Sequence, residues 1–200
     1  MKKLFLLAVV LLSAVGIMAQ EREGTLTVQP RIGANLSSMT DYNKTSFGYA
    51  FGMEMEYQMT DLLSLSAGLM YSGQGAEDDE SGIKETLDID FVNVPIMLNC
   101  YVVPGLAVKA GIQPAFRTKT TVKSDGIKMD VDELFQMLGY SDTQMSKFML
   151  SVPVGLSYEY KHWVLDARYN FGVTDLFKGE GTLRNNVFQL TLGYKFKVDF

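Results

Sequence analysis

Charged side chains at alternate positions of apolar segments are the candidate functional residues of this chain. Four carboxylates and four cations follow this pattern: Glu54, Glu56, Glu159, Asp166, Lys109, Arg117, Arg168 and Lys195. If they converge, they could form a proton relay or a conduction path. The alternative is that they pair with one another in a filled interior, because buried charges require partners. Both interpretations need elements that turn these residues toward one another.

Catalysis by a nucleophile and a general base has little support in the sequence. His162 is the only histidine, and it lies in a predicted tight turn beside Trp163, without a nucleophile in an evident constellation. Carboxylates could still act as acid and base by themselves. The acidic run at 77–80 could collect divalent cations, but it matches no calcium loop and is predicted to be a solvated loop. We therefore predict no enzyme, no catalytic residue, no cofactor and no metal site.

The elements that position the charged residues are predicted to be β-strands, because apolar residues occupy every second position. Each is about as long as a tilted strand needs to cross a bilayer, and longer than most strands of soluble proteins. Opposite positions also carry charges, including Arg31, Lys119 and Lys197. There are eight such segments: 26–36, 47–57, 63–71, 92–102, 106–116, 148–158, 163–173 and 188–200.

The connections between these segments alternate between short and long. "TDL", "VPG" and "KH" join one set, whereas "SSMTDYNKTS", "AEDDESGIKET", residues 124–147 and "DLFKGEGTLRNN" join the other. Periodicity is equally compatible with a soluble sandwich or lipocalin-like barrel, in which the apolar faces point inward. Strand length, an even strand number and the alternating connections favour a membrane barrel with periplasmic turns, extracellular loops and charges in the lumen.

Aromatic residues fall near both ends of the predicted strands, as expected for two interfacial girdles. Near the short turns are Trp163, Tyr158, Tyr160, Tyr57, Tyr101 and Phe200. Near the long connections are Phe47, Tyr49, Tyr71, Phe171 and Phe188.

The N-terminus "MKKLFLLAVVLLSAVGIMAQ" is typical of a secretory signal peptide. Two lysines precede an apolar core, and small residues lead to a predicted cut after Ala19. A retained anchor fits less well, because the apolar core is short for a spanning helix. We thus expect a signal peptide at 1–19 and one barrel domain at 20–200. The formal charge of −5 argues against nucleic acid as a partner, and Cys100, as the only cysteine, cannot form an intramolecular disulfide.

The segments "EYQMTDLLSLSAGLMYSGQGA", "FVNVPIMLNCYVV", "GLAVKAGIQPAF", "LDARYNFGVTDL" and "NNVFQLTLGYKF" resemble the PorT-like outer-membrane β-barrel family of Gram-negative bacteria. The resemblance covers nearly the whole chain after residue 19. It implies an eight-stranded barrel whose name-giving relative is associated with protein secretion across the outer membrane. It also implies that the final strand carries the signal read by the barrel-assembly machinery, in the alternate residues Phe200, Val198, Phe196, Tyr194 and Leu192.

The longest connection contains "KMDVDELFQMLGYS", which predicts a short amphipathic helix. Asp130 is a candidate N-cap, Glu133 completes a capping box and Gly139 is a candidate stop. Its apolar stripe consists of Val131, Leu134, Phe135 and Leu138. A helix this short needs a cover in water, so the stripe could close the barrel mouth as a lid or dock into the groove of a partner.

The predicted fold is therefore all-β, an eight-stranded antiparallel transmembrane up-and-down β-barrel with a short helix in the third extracellular loop. We expect a structural or interaction role in the outer membrane, within a secretion or surface assembly. A small-solute channel of the porin kind is the alternative. The expected partners are outer-membrane lipid and lipopolysaccharide, the barrel-assembly machinery and a protein bound through the extracellular loops.

Overall fold

A computed structural model describes residues 21–39, 44–78, 85–124, 127–130, 146–174 and 184–198. The predicted signal peptide at 1–19, the predicted helix at 131–138 and Phe200 lie outside these residues. Among the residues that the structure describes, no helix is long and apolar enough to cross a membrane. The strands are β1 (Leu26–Met39), β2 (Lys44–Gln58), β3 (Leu63–Asp78), β4 (Glu85–Asn93), β5 (Ile96–Val103), β6 (Leu106–Ser124), β7 (Ile127–Asp130), β8 (Phe148–Tyr160), β9 (Trp163–Gly172), β10 (Asn185–Tyr194) and β11 (Phe196–Val198).

These strands form one closed antiparallel barrel. β4 and β5 follow each other between the same neighbours, β3 and β6, with an interruption at Val94 and Pro95. β10 and β11 likewise make one barrel strand, interrupted at Lys195, and both pair with β1. β1 also pairs with β2, so the sheet closes on itself. Since β7 only adds to the end of β6, the described residues contain eight barrel strands, which confirms the predicted architecture.

The two sides of the barrel wall have opposite character. On β10, Leu192 and Leu190 are each 43% exposed on the outside, whereas Thr191 between them is 1% exposed in the interior. The same alternation holds on β2, where Glu54 and Glu56 are buried and the alternate residues face outward: Phe47, Tyr49, Phe51, Met53, Met55 and Tyr57. Apolar residues outside and polar residues inside are the arrangement of a membrane barrel rather than of a soluble one.

Two orientation predictions made from the sequence are wrong. The sequence predicts Tyr101 in the outer girdle, but it is 2% exposed in the interior, because Cys100 and Val102 take the outward positions on either side of it. Lys119 was assigned to the lumen, but it is exposed. A register shift between the pairs Asp90 with Lys119 and Phe91 with Arg117 leaves one extra residue on β6, and such a bulge changes which residues face outward.

The strands reach further on the long-connection side than the sequence predicted. β1 ends at Met39 and β2 begins at Lys44, so most of the predicted first long loop is strand. β3, β4 and β6 continue as pairs to Asp78, Glu85 and Ser124, where β7 joins them. We call this region, formed by 73–78, 85–90, 119–124 and β7, the sheet extension. Its outer face carries Asp88, Asp90 and Lys119, so the apolar belt ends below it.

The connections at the opposite end are short, as predicted. Residues 59–62 join β2 to β3, Pro104 and Gly105 join β5 to β6, and Lys161 and His162 join β8 to β9. Gly105 and Lys161 have positive φ angles of 80° and 57°, which tight hairpin turns require of at least one residue. These turns bring the interior residues at the ends of β2, β5 and β8 to the same level of the barrel.

Candidate functional site: the polar lumen

Five side chains form a compact ion cluster across the lumen, which we call the arginine cluster: Arg31, Glu54, Lys109, Asp166 and Arg168. Arg168 donates through Nη2 to Glu54 Oε1 at 2.8 Å and through Nε to Asp166 Oδ1 at 2.7 Å. Lys109 Nζ lies 2.7 Å from Asp166 Oδ2, and Arg31 Nε lies 3.1 Å from Glu54 Oε2. All five are at most 4% exposed, so each charge depends on the others.

A second group lies closer to the short turns, and we call it the tyrosine cluster: Tyr101, Glu56, Glu159 and Lys195. Lys195 Nζ donates to Glu159 Oε1 at 2.5 Å and lies 3.1 Å from Glu56 Oε2. The Tyr101 hydroxyl lies between the two carboxylates, 2.7 Å from Glu56 Oε1 and 2.6 Å from Glu159 Oε1. The residue that was wrongly assigned to the membrane interface therefore holds the centre of an interior network.

Gln29 connects the two clusters. Its Oε1 accepts from Arg31 Nη2 at 2.7 Å, and its Nε2 donates to Glu56 Oε2 at 2.6 Å. By formal charge, the arginine cluster has three cations against two carboxylates, and the tyrosine cluster has one cation against two carboxylates. The eight charges therefore cancel only when the clusters are taken together, which makes their close connection favourable.

Glycines provide the room for these long side chains. Arg31 is in register with Gly52 on one side and Gly193 on the other, and Glu54 is in register with Gly68. Gly155 is in register with both Lys109 and Arg168, and a Cβ there would lie 2.8 Å from the Arg168 Cβ. An interior of eight strands is just wide enough for side chains, so positions beside the charges have to be small.

The lumen toward the long connections is lined by neutral amides. Asn93 donates to Ser72 Oγ at 2.7 Å, Asn185 to Gln74 Oε1 at 2.5 Å and Gln189 to Asn35 Oδ1 at 2.9 Å. A cavity of about 20 Å³ lies among these side chains, which is enough for about one water molecule.

Apolar side chains fill the remaining interior, and the sequence analysis missed them. Met70, Ile89, Phe91 and Met97 are at most 2% exposed. Each stands between outward-facing neighbours, so strict alternation could have found them. Met70 and Met97 stand between apolar residues and so give no contrast, whereas Ile89, between Asp88 and Asp90, reverses the pattern of apolar residues outside and polar residues inside.

The charged side chains of the two clusters are paired with one another in the lumen. The hydrogen-bonded route from the arginine cluster to Glu56 passes through Arg31 and Gln29. Arginine does not release its proton in proteins and an amide is a poor proton carrier, so this route does not conduct protons. Side chains at most 5% exposed also occupy the lumen at the level of both clusters.

Of the eight charged residues that the sequence predicted to converge, seven lie in the two clusters, and Arg31 stands in place of the eighth, Arg117. Arg117 lies nearer the long connections, where its Nη1 donates to Thr120 Oγ1 at 2.6 Å, and Arg31 takes a place in the cluster instead. Lys197 is at the rim of the barrel and pairs with Glu21 at 2.7 Å, with its side chain 53% exposed.

His162 stacks on the Tyr194 ring with centroids 5.5 Å apart. No group of three or more His, Cys, Asp or Glu residues in the described ranges could hold a metal ion.

The residues predicted as an assembly signal lie on the outer face of the last strand. Leu192 and Phe196 are 43% and 54% exposed, and Tyr194 and Val198 are half-buried. Phe200 and the predicted docking residues Val131, Leu134, Phe135 and Leu138 lie outside the described residues.

The closed barrel, its apolar belt and its polar lumen define an outer-membrane type of β-barrel. The family model of the outer membrane protein beta-barrel domain matches residues 18–178, and the chain belongs to this family.

Two solved structures of low sequence identity share the fold. One is Ail, the attachment invasion locus protein of Yersinia pestis, solved in complex with the heparin analogue sucrose octasulfate. It is 16% identical to this chain with a TM-score of 0.55, and the match covers 87% of this chain and 99% of Ail. Neisserial surface protein A gives the same identity and TM-score, with coverages of 87% and 100%. Comparison with curated protein sequences found no match.

Proposed function

We propose that this protein is an interaction protein of the outer membrane, which presents a binding surface beyond the membrane instead of conducting solutes. The observation that carries the proposal is the contrast between the lumen and the sheet extension. The lumen holds two paired ion clusters and a cavity for about one water molecule. The strands β3, β4 and β6, in contrast, continue as paired strands beyond the apolar belt, where their outer face carries Asp88, Asp90 and Lys119.

The sheet extension leads into the third long connection, since β7 ends at Asp130 and residues 131–145 follow it in the sequence. β7, which precedes this connection, and β8, which follows it, are both paired with β6. Binding residues commonly lie in connections that a rigid scaffold positions. The docking surface that we propose is the apolar stripe of Val131, Leu134, Phe135 and Leu138, which would fit the groove of a protein partner.

The resemblance to the PorT-like family supports a narrower role within this proposal, as a component of a secretion or surface assembly. The partner would then be another envelope protein. We further propose that the chain is not an enzyme, since its single histidine stacks on Tyr194 in a short turn.

Crosslinking in intact outer membranes tests the interaction role. The double substitution Leu134→Ser with Phe135→Ser is expected to remove co-purifying envelope proteins, while the barrel stays heat-modifiable on gels. The matched control is Asp132→Ser with Gln136→Ser, which lies away from the apolar stripe and keeps the predicted capping residues Asp130 and Glu133, and it is expected to keep the partners. Unchanged partners together with a protease-sensitive loop would show that the helix is only a lid.

Planar bilayer recordings test the channel alternative. A lumen filled by paired charges is expected to give no stable conductance. A reproducible open-pore current from the purified barrel would contradict the interaction role and favour a small-solute channel.

Export and insertion are expected to follow the predicted signals. Mass spectrometry of the mature protein is expected to show an N-terminus at Gln20, after cleavage behind Ala19. Deletion of Phe200 is expected to slow insertion by the barrel-assembly machinery, because Phe196 and Leu192 would lose the terminal member of their outward-facing series. Insertion at an unchanged rate would show that Phe200 is not part of the signal.

A further inference from the structure

The closure between the first and last strands, which we call the seam, lacks part of its backbone ladder. β1 pairs with β11 from Leu26 to Val28 and with β10 from Arg31 to Met39. In the same register Gln29 would face Lys195 and Pro30 would face Tyr194, but neither pair belongs to the ladder. Pro30 has no N–H to donate, and the Lys195 N–H donates away from the seam, to the His162 carbonyl at 2.7 Å. Neither position therefore has regular pairing across the seam.

Inside the barrel, one carboxylate bridges this interruption. Gln29 Nε2 donates to Glu56 Oε2 at 2.6 Å, and Lys195 Nζ lies 3.1 Å from the same oxygen. Gln29 and Lys195 are the residues that face each other across the interrupted seam, and both are at most 1% exposed. Glu56 is on β2, and Ser64 on β3 holds its other oxygen by a hydrogen bond of 2.5 Å. The bridge is thus fixed to strands outside the seam.

Outside the barrel, aromatic rings cover the same place. The Tyr194 ring lies next to those of Trp163 and Phe196, with centroid distances of 5.1 and 4.8 Å. His162 stacks on its remaining side at 5.5 Å. This packing covers the interrupted part of the seam on the lipid side, where a backbone group without a hydrogen-bond partner is unfavourable.

We propose that Glu56 is a clasp that closes the barrel where the backbone ladder of the seam is missing. Its Oε2 takes the place of the absent pairing by holding Gln29 of β1 and Lys195 of the last strand together. Loss of this oxygen as a charged acceptor leaves two strand ends without a common partner at the interruption. The seam then opens locally more often than any other strand pair of the barrel.

Amide hydrogen exchange of the full barrel in detergent micelles tests the clasp. In Glu56→Gln, amides of 31–34 and 190–193 next to the interruption are expected to exchange on the order of tenfold faster. Amides of 96–100 in the β5–β6 ladder are expected to keep their rates. The matched control is Glu159→Gln, which removes a carboxylate from the same Lys195 but leaves the bridge to Gln29 intact. Its seam amides are expected to exchange at the original rate.

Equal acceleration in both variants, acceleration spread over all ladders, or no change in Glu56→Gln would each overturn the proposal. If Glu56→Gln does not fold to a heat-modifiable barrel, a covalent lock replaces the comparison of rates. Ala34 and Leu190 are directly in register on the outer face, at a spacing that a disulfide spans. In a Cys100→Ser background, the pair Ala34→Cys and Leu190→Cys is expected to restore folding of Glu56→Gln after oxidation. Failure of the oxidised lock to restore it would show that Glu56 does not act through the seam.

Discussion

The outer and inner faces of the barrel are built by alternate residues of the same strands, but different physical requirements select their side chains. On the outside, Leu190, Leu192 and Phe171 meet lipid, which has no directional preference. On the inside, Asp166 has to meet Lys109, Arg31 and Arg168 at distances of 2.7 to 3.4 Å. The outer face is therefore defined by class of side chain, and the inner face by identity, length and partner.

This difference indicates on which face of the barrel a substitution lowers stability most. An apolar replacement on the outside preserves the transfer of the side chain into lipid, whereas a replacement inside breaks a network whose members are not solvated. Breaking a buried pair costs more than the pair contributes, because the remaining charge has no partner. Four substitutions test the contrast, in order of expected effect.

Asp166→Ala is expected to have the largest effect. It leaves Lys109 without its contact at 2.7 Å and Arg168 without its Nε acceptor, for a cost of about 3–5 kcal/mol in the free energy of unfolding. Urea unfolding in lipid vesicles, followed by the fluorescence of Trp163, measures it. The outward neighbour Leu165→Ile is the control and is expected to change little; equal effects would remove the distinction between the faces.

Leu192→Arg is expected to come second, at about 2–4 kcal/mol for a charge on the lipid face, with slower insertion into vesicles. Leu192→Ile, of the same class as Leu, is expected to be close to neutral. The inner neighbour Thr191→Asn is expected to be much milder than Leu192→Arg, because it keeps a polar group beside Arg31, whose Nη1 lies 3.3 Å from Thr191 Oγ1. Effects of similar size at 191 and 192 would show that the assignment of the faces is wrong.

Gly155→Val tests the space beside the charges. Its Cβ would lie 2.5 Å from the Ala167 carbonyl oxygen and 2.8 Å from the Arg168 Cβ, and overpacking of this kind costs about 1–3 kcal/mol. Gly155→Val adds Cβ and two methyl groups; Ala110→Val adds two methyl groups on the exposed outer face and is expected to be tolerated. The measurement is the temperature at which the heat-modifiable band is lost, and a lower value for Ala110→Val than for Gly155→Val would contradict the role of the glycines.

Tyr101→Phe is expected to have the smallest effect of the four, about 1–2 kcal/mol, because it removes one hydroxyl between Glu56 and Glu159. Tyr160→Phe on the outer face, where the side chain is 44% exposed, is the matched control. Urea unfolding is expected to give a lower midpoint for Tyr101→Phe than for Tyr160→Phe. Identical midpoints would show that the Tyr101 hydroxyl does not stabilise the interior network.

The alternation of apolar residues predicts the strands and their faces, but only where the two-residue period is unbroken. Alternation predicted the eight strands, and it placed Ile32, Leu65, Leu165 and Leu192 on the outside correctly, because a pleated strand turns every second side chain to the same face. The short turns were predictable as well, since only few residues remain between the alternating segments. Where one residue is inserted, as in β6 before Lys119, the period shifts and the prediction fails.

The strand number, the connection pattern and the character of each face can be predicted from the sequence alone, because these follow from the two-residue period and from lengths along the chain. The sequence also identified most of the charges that meet in the lumen. The tertiary structure decided which of them are partners, because a pair such as Arg168 with Glu54 is 114 residues apart and depends on the register of all the strands between them. It also decided that Arg117 is replaced by Arg31 and that Tyr101 turns inward. Glu56 reaches both sides of the interrupted seam for the same reason: only closure of the barrel brings the first and last strands within the length of one side chain.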